Sequence, residues 1–289
     1  MIGRFLFLNS RESSRFCTKG VDLCVMNKTV VIVGVAVVAT LVVFSGLWHF
    51  GVFDSKYSVD LKNGLEGKET PEGDKVYTKT TDYYHIDVRY PATAGISKTA
   101  GKENDQAAVI AMELAIMQSV ADFTSLQDFE NLSEQEKQLL GFADGRKYEL
   151  GASYTKYESP NTASFVFAFY EDTGGAHPNG YFRTFVWKKE GGKIELSDLF
   201  VPQSEYLERL SQVSKIQIRQ AIGRMGEGSS SLFEEGYAPR EQNFQNFYLH
   251  EGELVILFDP YQVAAYAAGP QVVRIPLTEL RDILKSEFK

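Results

Sequence analysis

Beyond residue 24 the sequence has no cysteine, because its two, Cys17 and Cys24, both precede the one long apolar run. Everything after that run therefore lacks thiol chemistry, disulfides and Cys-ligated zinc. Histidine is almost as scarce. The four, His49, His85, His177 and His250, stand far apart, so no histidine-rich metal motif is present. Positive charge is in the minority, with 30 Lys and Arg against 38 Asp and Glu and a net charge of −8. That balance excludes the clustered basic surface that nucleic acid requires. A Walker loop, a GxGxxG after a strand, HExxH, an EF-hand loop and GxSxG are all missing. Ser153-Tyr154-Thr155-Lys156 matches S-x-x-K, but it lies in an alternating strand, away from any helix start, and no KTG triplet accompanies it. The absences predict no catalytic residues, no metal and no cofactor.

What the chain does contain is TVVIVGVAVVATLVVFSGLWHF from Thr29 to Phe50, 22 residues without Asp, Glu, Lys or Arg. At a helical rise this run covers about 33 Å, enough to cross a bilayer. It predicts a transmembrane anchor over 29–50. Residues 1–28 hold five basic and two acidic residues, which assigns them to the cytoplasm and the remainder of a single-pass protein of the cell membrane to the extracytoplasmic side. No A-x-A-like pattern follows the run, which favours a retained anchor over a cleaved signal. Met26-Asn27-Lys28 offers an alternative start that would leave residues 1–25 untranslated. Residues 51–75 are polar, with Gly and Pro, and read as a linker. Past residue 50 there are 25 Lys and Arg and 36 Asp and Glu, a net −11.

Tyr84, Ile86, Val88 and Tyr90 alternate with polar residues and predict a half-buried strand over 83–90, closed by Pro91. Val109, Met112, Ile116, Val120 and Phe123 recur at helical spacing within 103–123. Ser133 with Glu136 makes a capping box for a short helix that ends near Gly141. Strands are expected at 146–157 and 163–170, the second apolar on both faces and so central. A hairpin turning at Glu190-Gly191-Gly192 follows, then a helical turn at 196–200 and a second long helix over 204–225, stopped by GEGSSS at 226–231. A hairpin around Glu251-Gly252, the strand QVVRIPL and an amphipathic helix TELRDILKSEF complete the reading. The fold class is therefore α+β, antiparallel sheets packed with two long helices, preceded by one N-terminal transmembrane helix. Residues 76–171 form a smaller α+β domain and residues 172–289 a C-terminal domain.

Two loops stand out as candidate binding residues. In the segment from Glu171 to Gly180, Gly174 and Gly175 permit close approach, Pro178 fixes the turn beside His177, and Asn179 follows. In the segment from Asp259 to Pro270, small residues surround Tyr261 and Tyr266 between Asp259 and Gly269, a smooth surface in which each ring supplies area with few rotors. Without any ligand, the geometry of a long hairpin connection accounts for the first loop and packing of both rings onto the sheet accounts for the second. If they leave neighbouring strand ends, they make one surface.

TGGAHPNGYFRTFVW, LSDLF, NFQNFYL and LVILFDPYQVAAYAAGPQVVRIPLTEL occur in an order that resembles the extracytoplasmic domain shared by the anti-sigma factor RsiV and the peptidoglycan deacetylase PdaC. The resemblance spans 173–280, and 76–170 is similar to the smaller domain that precedes it in that family. It implies an extracytoplasmic sensor or binding module in which His177, Tyr261 and Tyr266 occupy characteristic positions. It also implies a partner such as a lysozyme-like cationic protein or peptidoglycan. The inner 28 residues lack an amphipathic helix able to hold a sigma factor, and the TFDDG-like metal motif of the deacetylase domain is missing. The expected function is contact without catalysis. The alternatives are a cell-wall glycan hydrolase using Glu171, Asp172 and His177, a deacetylase-associated domain, and a purely structural envelope protein.

Overall fold

The computed structural model describes residues 68–69, 73–96, 102–224 and 232–289. The anchor expected at 29–50, the segment 1–28 and the Gly/Ser stretch at 226–231 lie outside the described residues. The described residues fall within one compact unit.

Seven strands follow one another in space as in sequence: β1 (Lys68–Glu69), β2 (Asp74–Thr80), β3 (Tyr84–Pro91), β4 (Tyr148–Glu158), β5 (Thr162–Asp172), β6 (Asn179–Lys188) and β7 (Lys193–Ile194). Every pair is antiparallel except β3–β4, which is parallel. A parallel pair needs a crossover, and the chain supplies it with α1 (Lys102–Thr124) and the short α2 (Glu134–Leu139). The expectation of purely antiparallel pairing is corrected at this one position. Ser133 and Glu136 close the capping box of α2 as expected, and Gly141 follows at φ 79°. The sheet begins at Lys68, inside the segment expected to be a linker. It also runs across position 171, because β6 pairs with β5 from Glu171–Asn179 to Thr162–Lys188.

Alternation on the long strands gives this sheet two different faces. Ile86, Leu150, Phe165, Phe167 and Phe169 lie under Met112, Ile116 and Phe123 of α1, all nearly inaccessible. On the other face Val166 meets Tyr248, Val255 and Leu257 of a second sheet. That sheet comprises β8 (Phe247–His250), β9 (Glu253–Phe258) and β10 (Gln271–Pro276), antiparallel with β9 central. Beneath it α3 (Tyr206–Gly223) inserts Leu210, Ile218 and Ile222 against Leu254, Ile256, Val273 and Ile275. The order is thus helix, seven-stranded sheet, three-stranded sheet, helix. The fold is α+β, with helices on the outside of two sheets.

The free edge of β10 is blocked. The Gln217 side chain of α3 accepts from the Arg274 N–H at 3.1 Å and donates to its carbonyl at 2.7 Å, and Pro276 has no N–H to offer. The amphipathic helix expected over the last residues does not form. Residues 277–280 make a 3-10 turn, one further turn returns the Leu284 N–H to Leu280 O at 2.9 Å, and the chain then pairs with another segment, Val201 N–H donating to Ile283 O at 2.8 Å and Lys285 N–H to Leu199 O at 2.9 Å. Leu280, Leu284 and Phe288 reach the core from this path, so tertiary pairing overrides the helical period.

Candidate functional site

The loop between β5 and β6 and the loop between β9 and β10 belong to different sheets, and the packing of those sheets brings them together. The first begins with Asp172, which accepts the Gly174 N–H at 2.8 Å and lies 3.8 Å from Arg146. Gly174 sits at φ 83°, and a Cβ there would come within 3.1 Å of the Arg146 guanidinium and 3.2 Å of the Tyr148 ring. The backbone angle favours glycine, and a side chain would also make the Arg146 guanidinium and the Tyr148 ring shift by a few tenths of an ångström. Gly175 carries no such constraint, since a Cβ would meet only His177 O at 3.8 Å. Asn179 is exposed and opens β6 opposite Glu171.

The second loop is anchored at both ends. Asp259 accepts the Phe182 N–H of β6 at 2.8 Å, and burial pushes its carboxyl up, partly offset by that hydrogen bond and by Arg183. Gln262 donates to Gly236 O and Asn243 O at 3.1 and 2.9 Å and accepts from the Asp259 N–H at 3.1 Å. At the far end Gly269 caps a 3-10 turn by donating to Tyr266 O at 2.8 Å. Asp259 and Gly269 therefore hold the loop, and between them Tyr261 is exposed and Tyr266 half-buried.

Those rings form a wired stack. His177 lies on Tyr266 with centroids 3.6 Å apart and planes 13° apart. Its Nδ1 is 3.0 Å from Pro178 O, a group that can only accept, so Nδ1 carries the proton of the neutral ring. Nε2 is then the acceptor, and the Tyr261 hydroxyl donates to it at 3.0 Å. The Tyr266 hydroxyl donates to the same Pro178 carbonyl at 2.8 Å. Tyr261 holds φ 67°, unusual for a bulky residue, and is 52% exposed. Beside the stack an apolar groove of about 470 Å³ runs between Tyr170, Pro178 and Phe182 on one wall and Tyr266, Ala267 and Pro270 on the other.

The hydrolase arrangement is not assembled. Glu171 faces α1, where burial and then Asp122 push its carboxyl up, whereas Asp172 turns to Arg146 on the opposite face. Both His177 nitrogens are engaged by Tyr261 and Pro178. Ser153 is exposed on one face of β4, while Lys156 bonds Gly95 O at 2.8 Å and Glu158 at 2.8 Å. Among the described residues no group of three His, Cys, Asp or Glu is placed to hold a metal. Sequence reading missed Tyr170, Phe182 and Gln262. The only signal was that Tyr170 continues the strand alternation opposite the buried Phe169, which leaves an aromatic ring on an outer face.

The model of the PdaC deacetylase family matches residues 77–180, and that of DUF3298, a family of proteins of unknown function, matches residues 197–278. Residues 181–196, which hold most of β6 and all of β7, lie between the two segments. The peptidoglycan-N-acetylmuramic acid deacetylase PdaC of Bacillus subtilis is 30% identical over 145 residues, 50% of this chain and 31% of that protein. The immunogenic protein MPT64 of Mycobacterium tuberculosis is 25% identical over 142 residues, 47% of this chain and 60% of it. A solved DUF3298-family protein from Bacteroides fragilis is 17% identical, with a TM-score of 0.49 over 78% of this chain and 96% of that one. The chain spans less than two thirds of the length of these two curated relatives.

Proposed function

We propose that the chain is a cell-envelope recognition module that holds wall glycan on the surface built by residues 173–180 and 259–270, by contact and without catalysis. The observation that carries this reading is the wired stack, in which His177 is fixed between Tyr261 and Pro178 and lies flat on Tyr266 at the mouth of an apolar groove. Rings already ordered before binding offer flat apolar faces to a sugar with little further loss of entropy. Similarity to a deacetylase named for peptidoglycan supports a wall ligand. The anchor at 29–50 and the extracytoplasmic position belong to the same proposal, because the wall is met outside the membrane.

Co-sedimentation of the full chain with insoluble peptidoglycan tests it. The wild type is retained, and Tyr261→Gly, which relieves the positive φ while removing the ring, weakens retention by about tenfold. Absence of wild-type retention defeats the reading. A second reading, a cationic protein such as lysozyme as the ligand, is favoured by the net −11 beyond residue 50. Pull-down with lysozyme at low and moderate salt decides it, and no capture at either removes that partner.

A further inference from the structure

The three-stranded sheet covers only part of the face it packs on, and a second groove opens on the remainder. Strand register lines up Thr78, Asp87, Gly151, Tyr170 and Gly180 in one row across β2 to β6. Where Gly151 and Ala168 leave the floor low, a depression of about 390 Å³ forms, walled by Asp87, Arg89 and Tyr170. It shares Ala168 and Tyr170 with the groove beside the His177 stack, so the two make one trough. Crossing from β2 to β6 takes four strand spacings, about 19 Å. The trough runs across the strands, so an occupant meets side chains and small-residue floor rather than a row of free backbone groups.

We propose that this trough takes an amino-sugar chain whose amines are free rather than acetylated, with ring faces on Tyr170 and Tyr266 and ammonium groups on Asp87 and Glu149. The inference rests on the wall-glycan reading and narrows it to one form of the ligand. Charge complementarity selects the occupant. Asp87, which walls the depression, and Glu149, on the adjacent strand beside it and outside the lining of both grooves, carry no ion pair or side-chain hydrogen bond among the described residues. Of the other charges nearby, Asp172 accepts the Gly174 N–H and lies 3.8 Å from Arg146, while Arg89, half exposed on the wall of the depression, lies 3.8 Å from Asp74. His85, on the same face, is bonded to Thr80 at 2.8 Å. Tyr170 is 44% exposed at the centre of the trough. Its hydroxyl is pushed up by local desolvation, then by the negative charge of Asp172 and Glu149, and by the neighbouring Tyr266. A negative potential over an exposed ring attracts a cation, and an acetamido group would set a neutral amide and a methyl against the same carboxylates.

Binding of glucosamine oligomers, N-acetylglucosamine oligomers of equal length and a lysine peptide of equal charge to the full chain in detergent micelles tests the proposal. The glucosamine oligomer should bind about tenfold tighter than either competitor. The double variant Asp87→Asn, Glu149→Gln, confined to exposed side chains, should lose that preference. Ala168→Tyr, which blocks the floor shared by the two grooves, should lose binding of both sugars. Equal or tighter binding of the acetylated oligomer, equal binding of the lysine peptide, or no effect of Ala168→Tyr overturns the inference. Retention on native acetylated wall, measured in parallel, separates the two proposals: if it persists while glucosamine preference is missing, only the free-amine assignment falls.

Discussion

The two halves of the folded unit reach similar burial by different means. The N-terminal half, β1 to β7 with α1, is built from strands of up to 11 residues and a core rich in rings. Tyr84, Phe129, Phe142 and Tyr148 lie with centroids 5.0–6.1 Å apart in tilted and edge-on contacts. The C-terminal half has strands of 4 to 6 residues, a largely aliphatic core and several 3-10 turns. It is also held by backbone bonds between distant segments, such as Phe233 N–H to Val263 O at 2.9 Å and Lys285 N–H to Leu199 O at 2.9 Å. The regular half supplies a rigid face and the irregular half supplies the loop that leans over it. The ring stack sits at their junction, where neither half alone would hold His177 against Tyr266.

The comparison breaks most readily at Phe167, which is fully buried and packs on Tyr154, Phe169 and Phe185. Phe167→Ala should cost about 3–5 kcal/mol in denaturant unfolding. Because β5 also supports β8, where the Leu249 N–H reaches the Ser164 hydroxyl at 3.4 Å, both halves should unfold in one transition. Two separate transitions would show the halves to be independent. Gly236→Ala probes the other half. A Cβ at Gly236 would lie 1.8 Å from Gln262 O, so the loop that carries Tyr261 must move. The expected cost is about 2–3 kcal/mol, with amide exchange accelerating at Phe233 and Val263 before it does at Ile86 and Val88.

The same contrast explains what could be read from the sequence. Strands β3 to β6, α1, α3 and the capping box at Ser133 follow from periods and caps that are local, and they appear within a few residues of expectation. The two loops were visible as unusual compositions, and their residues do come together. The wiring was not visible, because Tyr261 donating to His177 and Asp259 accepting from Phe182 depend on how two sheets stack, at separations of 84 and 77 residues. The parallel β3–β4 pair and the non-helical C-terminal path were missed for the same reason. The period of TELRDILKSEF favours a helix, but Val201 and Leu199 offer backbone partners that no local pattern records.

Asp259 gives the finest test, since its carboxylate ties the irregular loop to the regular sheet. Burial raises its carboxyl above the ordinary value of 3.8, so the folded state holds the proton more tightly than the unfolded chain does. This contribution to stability is fully present below 3.8 and is lost as pH rises through the folded value, the reverse of a salt-bridged aspartate. Asp259→Asn keeps an oxygen to accept the Phe182 N–H and removes the titration. Melting temperatures of the two proteins between about pH 3 and 7 should therefore converge or cross, the variant matching the wild type at neutral pH to within about 1 kcal/mol. A variant less stable by more than about 2 kcal/mol at neutral pH would mean that the ionised group and its attraction to Arg183 hold the loop. In that case the tie between the halves is electrostatic, and salt should loosen the ring stack along with it.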